Sequence, residues 1–250
     1  YIVISNKTSQ HFETIDFIAK YEFSGSVLTE KPLFDHYNEF PENSFLINAV
    51  GYNLRFHPVI QKLKEILTNE NILTFNVYVG QYLPNWRPNV DYRKSYSSKK
   101  ELGGGVLRDL SHELDYLNWI LGKWNSLTAI GGHFSQLEID SDDVFTILLK
   151  YESCPSVTLQ MSYLDRVATR RIIINTDNKT VEADLINNTI KYDNETFFFE
   201  LEEDQTYKEM HLAVLNKDRK FISVAEESLS IIKMVEAIEQ ANKSEKWLAR

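Results

Sequence analysis

Asp109, His112 and Asp115 recur every third residue in the stretch from Gly103 to Leu117. At about 100° per residue, each step of three along a helix returns within roughly 60° of the last, so the spacing places all three on one helix face. A carboxylate, an imidazole and a carboxylate on one face can hold, orient and move a proton. The other reading of the pattern is a solvated acidic stripe with a surface histidine. A second chemical candidate is Lys31, between Glu30 and Pro32. An ammonium held at an X-Pro turn can bond a reacting oxygen and stabilise developing negative charge. A third is the run from Gln81 to Lys100, which carries Tyr82, Trp86, Arg87, Tyr92, Arg93 and Tyr96. Loops longer than about 12 to 15 residues are usually functional or disordered. Here the aromatics supply stacking faces and the arginines anion-pairing forks, a mixture suited to a sugar ring bearing an anionic group.

Each candidate needs an element to position it. Val106, Leu110, Leu114, Leu117 and Leu121 form an apolar stripe at helical spacing, so the three glycines 103–105 should open one helix carrying the Asp-His-Asp face. Ile2–Ile4, a polar turn, a helix with Phe12, Ile15 and Ile18 inward and capped by Thr8 or Ser9, and Ser26–Thr29 make a βαβ unit with parallel strands. Ligands bind beyond the carboxyl ends of such strands, which is where Asn6 and Lys31 fall. Phe45–Val50 is a third apolar run, and Pro58 opens a helix with Val59, Leu63, Ile66 and Leu67 inward. Strands are expected over 72–78, 127–134, 144–151, 156–163 and 170–175, with shorter ones near Val181, Ile190 and Phe198, at hairpin spacings that imply a largely antiparallel sheet. Leu229, Ile232, Val235 and Ile238 mark a terminal amphipathic helix over about 222–242. The fold class is α/β plus α+β: a partial Rossmann-type parallel sheet over 1–50, then a substrate and oligomerisation domain over 51–242 with helices on one face.

Composition narrows the function. With 250 residues, 43% hydrophobic and 25% charged, the chain is that of a globular protein. A net charge of −9 argues against a nucleic acid or an anionic membrane as the main partner. No apolar run approaches the ~20 residues of a membrane span. Cys154 is the only cysteine, so no internal disulfide forms, which fits a reducing cytoplasm. A catalytic metal is not expected, because no second histidine falls near His112 at ligand spacing.

Four motifs in order resemble the glucose–fructose oxidoreductase / inositol dehydrogenase / MocA family. They are Ile4–His11 as the strand-to-helix turn, Glu30-Lys31-Pro32, the stretch Gly51–Pro58 with its Asn53, Arg55 and Phe56, and Gly103 through Asp115. The resemblance implies a nicotinamide-dependent sugar oxidoreductase using NAD or NADP, with Lys31, His112 and Asp109 catalytic. It implies cofactor contacts from Ser5, Asn6, His11, Glu30, Lys31 and Pro32. The substrate side draws on Arg55, Tyr82, Trp86, Arg87, Tyr92, Arg93 and Asp115, with a core salt bridge as the other reading of Arg55 and a structural or orienting carboxylate as that of Asp115. A homo-oligomer through the open sheet face is expected. There are two departures. The Gly-x-Gly-x-x-Gly fingerprint of the family's first βαβ unit does not occur here, so that unit is expected upstream of Tyr1. Only Leu110 and Ser111 separate Asp109 from His112, where many members have three residues. The alternatives to an enzyme are a non-catalytic regulator and a sugar-binding protein on the same fold.

Overall fold

A computed structural model describes residues 1–250. The first sheet holds β1 (Ile2–Ile4), β2 (Ser26–Thr29), β3 (Ile47–Val50) and the two-residue β12 (Ser223–Val224), in the order β1-β2-β3-β12. β1, β2 and β3 are parallel, with Ile4 opposite Thr29 and Thr29 opposite Val50, and β12 runs antiparallel to β3. All four residues of β2 are buried, as an inner parallel strand requires. Helix α1 (His11–Lys20) packs Ile15 into the core. It opens from a 3-10 turn over Thr8–Gln10, and neither Thr8 nor Ser9 caps it by a side-chain bond. Helix α5 (Gln205–Asn216) packs Met210 and Val214 against Leu28, Ile47 and Ala49 of the same sheet. The sequence reading has no α5, because Thr206, Met210 and Val214 make too thin an apolar stripe.

The second sheet contains β4 (Ile72–Gly80), β5 (Trp124–Gly132), β6 (Val144–Tyr151), β7 (Ser156–Ser162), β8 (Thr169–Thr176), β9 (Thr180–Asp184), β10 (Thr189–Tyr192), β11 (Glu195–Phe198) and β13 (Leu248–Ala249). Its order is β11-β10-β9-β8-β4-β7-β6-β5-β13, antiparallel throughout except for the β4–β7 pair. One face is inward: Phe145, Ile147, Leu149 and Tyr151 on β6 alternate with outward Thr146, Leu148 and Lys150. Helices α2 (Pro58–Ile66), α4 (His112–Leu121) and α6 (Ala225–Ser244) bury their apolar stripes in the same core. The other face leaves Ile130, Leu148 and Ile173 exposed.

The helix expected from Gly103 onward is broken. It divides into α3 (Val106–Asp109) and α4, with Leu110 at φ −97°, ψ 24° between them. The apolar stripe stays inward across the break, with Val106, Leu110, Leu114, Leu117 and Leu121 all buried. Asp109 falls before the break and His112 and Asp115 after it on α4, and the three side chains meet three different surroundings. Asp115 receives a bidentate fork from Arg55, at 2.9 Å from Nε and 2.7 Å from Nη2, and both side chains are buried. Arg55 Nη1 also reaches Glu227 on α6 at 2.7 Å, and Ser223 of β12 donates to Asp115. This cluster joins the Gly51–Pro58 stretch, α4, α6 and the first sheet.

Two stability effects follow. Asp115→Ala leaves a buried guanidinium without its main partner, so unfolding free energy should fall by about 3–5 kcal/mol. Glu227→Gln removes a half-exposed partner and should cost less than about 1 kcal/mol. Equal losses in denaturant titrations would contradict this ranking. His57 N-caps α2, its Nδ1 accepting from the Val59 N–H at 3.2 Å. Burial, and then the Arg170 charge, push its pKa down to about 4. The folded value lies below the unfolded one of about 6.5, so this stability is full above that pH and is lost as pH falls toward 4. At pH 5 the loss from His57 is on the order of 2 kcal/mol. His57→Asn keeps a capping acceptor without the proton, so acidification from pH 7 to 5 should destabilise it less than the native protein. Identical losses on acidification would exclude this role for His57.

Candidate active site

A cleft of about 410 Å³ opens between the two sheets. Its floor on one side is the turn after β1, with Ser5, Asn6, Lys7 and Thr8, and the turn after β2, with Glu30 and Lys31. On the other side stand Asp109 and His112 at the helix break, Trp86, Arg87 and Tyr96 from the long loop, and Arg170 from β8. Lys31 and His112, eighty-one positions apart in the chain, therefore face one space.

The helix break is placed by the glycine turn before it. A Cβ on Gly104 would stand 2.1 Å from the Tyr96 carbonyl oxygen, so only glycine fits that approach. Gly105 lies at φ +115°, and its missing side chain makes room for the Asp142 carboxylate. Asp142 Oδ2 accepts the Leu107 N–H at 2.9 Å in the first turn of α3. Burial pushes the Asp142 carboxyl up to about 6.

At the other end of α3, Lys31 Nζ donates to the Asp109 carbonyl oxygen. Burial pushes the Lys31 pKa down, against the charges of Asp109 and Glu30. The Asp109 carboxylate accepts from the buried Tyr163 hydroxyl at 2.7 Å. Burial and the Asp109 charge push the Tyr163 phenol well up, so it stays a donor. No carboxylate touches the His112 ring, which corrects the expectation that one orients it. His112 instead packs edge-on to Tyr52, with ring centroids 5.7 Å apart. Its Nδ1 is buried without a hydrogen-bond partner, which leaves Nε2 as the nitrogen the cleft can reach. Burial first, then the Lys31 and Arg170 charges, push its pKa well down. The ring is neutral at pH 7.

The turns below are braced by His11. Its Nδ1 lies 3.1 Å from the Pro32 and Leu33 carbonyl oxygens, and its Nε2 3.2 Å from that of Asn6. Burial pushes this histidine down as well. Ser5, Asn6, His11, Glu30 and Lys31 line the cleft, whereas Pro32 is buried behind it and joined to Lys31 by a cis peptide bond.

Five expected substrate contacts lie elsewhere. Arg55 and Asp115 neutralise each other in the core. Tyr82 is outside the cleft lining and is covered by the Arg166 guanidinium, 3.4 Å from its ring centroid. Tyr92 accepts the Glu138 N–H through its hydroxyl, and Arg93 pairs with Asp91 and Glu138 on the outer surface. Trp86 and Arg87 remain, the first edge-on to Tyr163 and the second over the Tyr96 ring. Three residues were missed: Arg170, its partner Glu113, and Tyr163. For Arg170 and Tyr163 the signal lies in the strand alternation. Arg170 shares the inward face with Ile172 and Ile174, and Tyr163 that of Val157, Leu159 and Met161. A polar residue at an inward position needs a reason.

Residues 60–182 match the family model described as GFO/IDH/MocA C-terminal domain. No curated protein matches the chain in sequence. Among solved structures, levoglucosan dehydrogenase in complex with NADH superposes with a TM-score of 0.83 at 15% identity, over 100% of this chain and 79% of that one. WlbA dehydrogenase from Bordetella pertussis, in complex with NADH and UDP-GlcNAcA, gives a TM-score of 0.80 at 18% identity, over 99% and 78%. An oxidoreductase from Thermotoga maritima gives 0.80 at 16%, over 99% and 77%. At these identities the structures establish a shared fold, which the glycine turn, the broken helix and the open-faced sheet build here. Residues 60–182 thus carry the C-terminal domain of the GFO/IDH/MocA family, and the whole chain shares its fold with these dehydrogenases.

Proposed function

We propose that this protein is an NAD(P)-dependent oxidoreductase that moves a hydride between a nicotinamide and a secondary alcohol or ketone of a sugar, nucleotide sugar or sugar acid. The observation that carries the reading is the convergence of an ammonium and a neutral imidazole, Lys31 and His112, at the carboxyl ends of parallel strands. Two of the solved structures named above, levoglucosan dehydrogenase and WlbA, hold NADH, the second with UDP-GlcNAcA as well.

The residues present fit the nicotinamide end of such a cofactor. Ser5, Asn6 and Glu30 offer hydrogen-bonding groups at the strand ends, and His11 holds both turns in place. When bound, the cofactor accepts or supplies the hydride. The chain does the rest. Lys31, docked on the Asp109 carbonyl, can bond the carbinol oxygen and stabilise the charge that develops there. His112 can take the hydroxyl proton through Nε2, since a base must be unprotonated at working pH. Asp109 acts through Lys31 and Tyr163 and so positions the site. Trp86 offers a face to the sugar ring and Arg87 a cation to a distal anionic group. No helix is long and apolar enough to cross a membrane. We further propose a cytoplasmic homo-oligomer that covers the open sheet face bearing Ile130, Leu148 and Ile173.

In the full-length protein, Lys31→Ala and His112→Ala should each lower kcat on the order of 10²-fold or more, with NAD(H) affinity nearly intact. The acid limb of kcat/KM should lie below pH 6.5, because the folded His112 protonates only below its ordinary range. Lys31 is one cause of that depression, so the residual activity of Lys31→Ala should show an acid limb moved to higher pH. A His112→Ala protein with native kcat would overturn the assignment.

A further inference from the structure

Arg170 is a charged residue on an inward strand position, one residue into β8, with its side chain 21% exposed. Its guanidinium is clamped side-on by the fully buried Glu113 carboxylate, Nε at 2.7 Å from Oε1 and Nη2 at 3.0 Å from Oε2. That geometry spends one edge of the fork and leaves Nη1 free of protein partners. The residue lines the same cleft as Lys31 and His112. It is close enough to both for its charge to oppose their protonation.

The clamp is stiff. Glu113 follows His112 directly in α4, so the fork is fixed relative to the imidazole by one peptide unit and one bidentate pair. The surrounding charge is also unusual for this protein. Against a chain charge of −9, the cleft is lined by Lys7, Lys31, Arg87 and Arg170 and by only two carboxylates, Glu30 and Asp109. The Asp109 carboxylate is already bonded to Tyr163. Several cations around one small space repel each other until an anion enters.

We propose, on the oxidoreductase reading above, that Arg170 is a specificity-determining residue whose free Nη1 edge binds a carboxylate carried by the sugar ring itself, so that the substrate is a sugar acid of the uronate type. Position selects a carboxylate of the sugar over the diphosphate of a nucleotide sugar. Arg170 lines the cleft with the two groups that face the reacting carbon, where a carboxylate at a carbon of the sugar itself, such as C6 of a uronate, lies within the span of the ring. The diphosphate of a nucleotide sugar hangs from the anomeric oxygen and reaches outward, toward Arg87 and Lys7. A guanidinium fork held at one edge by Glu113 presents a planar pair of N–H donors at the other, matched to carboxylate geometry.

The test uses the full-length protein and four probes: D-glucuronate, D-glucose, UDP-glucuronate and UDP-glucose, titrated calorimetrically with and without NADH. The native protein should prefer the carboxylate member of each pair by about tenfold or more. Arg170→Gln alone strands the Glu113 charge, so the informative variant is the neutral pair Arg170→Gln with Glu113→Gln. It should bind both members of each pair alike and keep its NADH affinity. Arg170→Lys retains charge without the fork and should fall between. A merely structural ion pair would alter stability and leave the preference unchanged. The inference is overturned if the preference survives in the double variant. It is also overturned if the native protein favours the UDP compounds over the free sugars but ignores the carboxylate, since the anion read is then the diphosphate. Failure to bind NADH, with an Arg170-dependent carboxylate preference intact, would remove the oxidoreductase reading and keep this site.

Discussion

The interruption of the helix at Leu110–Ser111 is the constraint on which the site depends. An unbroken helix would carry Asp109, His112 and Asp115 on one face, and one surrounding would have to suit all three. The break lets the apolar stripe continue inward while Asp109 separates from His112 and Asp115, which share α4. Asp109 turns to Tyr163, His112 to the cleft and Asp115 to Arg55. It also ends α3 at Asp109, whose carbonyl oxygen takes the Lys31 ammonium from the other sheet. Carbonyls at a helix end carry partial negative charge, so a cation is favoured there. The two sheets thus meet where Lys31 and His112 face one cleft.

Much of this was legible in residue order. Strand alternation located β4 to β9 to within a few residues, because a half-buried antiparallel sheet imposes period two. The convergence of Lys31 and His112 on one cleft was legible because one follows a strand end and the other the glycine turn and its apolar stripe. The break was not legible, since Val106, Leu110 and Leu114 keep perfect helical spacing across it. Arg55 and Arg93 show the other limit. An arginine in a motif reads as an anion contact whether its partner is a ligand or an aspartate, and Asp115 and Asp91 are brought to them only by the fold. Tyr82 and Tyr92 fail for the same reason, their rings and hydroxyls being taken by Arg166 and Glu138.

Apart from Glu30, the carboxylates in and around the cleft are each engaged by a partner. Glu113 is held by Arg170, Asp115 by Arg55, Asp109 by Tyr163 and Asp142 by the Leu107 N–H. Each partner is buried or half-buried, so these attractions act in a medium that screens them little. What remains facing the open space is mostly cationic. The charge sign of the whole protein therefore says little about the charge its ligand carries.

The neutral state of His112 follows from the same arrangement. A histidine beside a carboxylate would be driven toward the charged form, as an imidazolium. Here the carboxylates on either side in sequence, Asp109 and Glu113, are both engaged by other groups, and the charges that reach the ring are those of Lys31 and Arg170. Burial and two cations act in the same direction, so the ring is a free base without any orienting acid. Orientation comes from elsewhere: the edge-on Tyr52 ring holds one side, and Asp115, one turn along α4, anchors the helix through Arg55 to α6 and the first sheet. A buried ion pair with no contact to the cleft thereby anchors the helix that carries the imidazole, and of the three positions of the Asp-His-Asp spacing only Asp109 and His112 line the cleft.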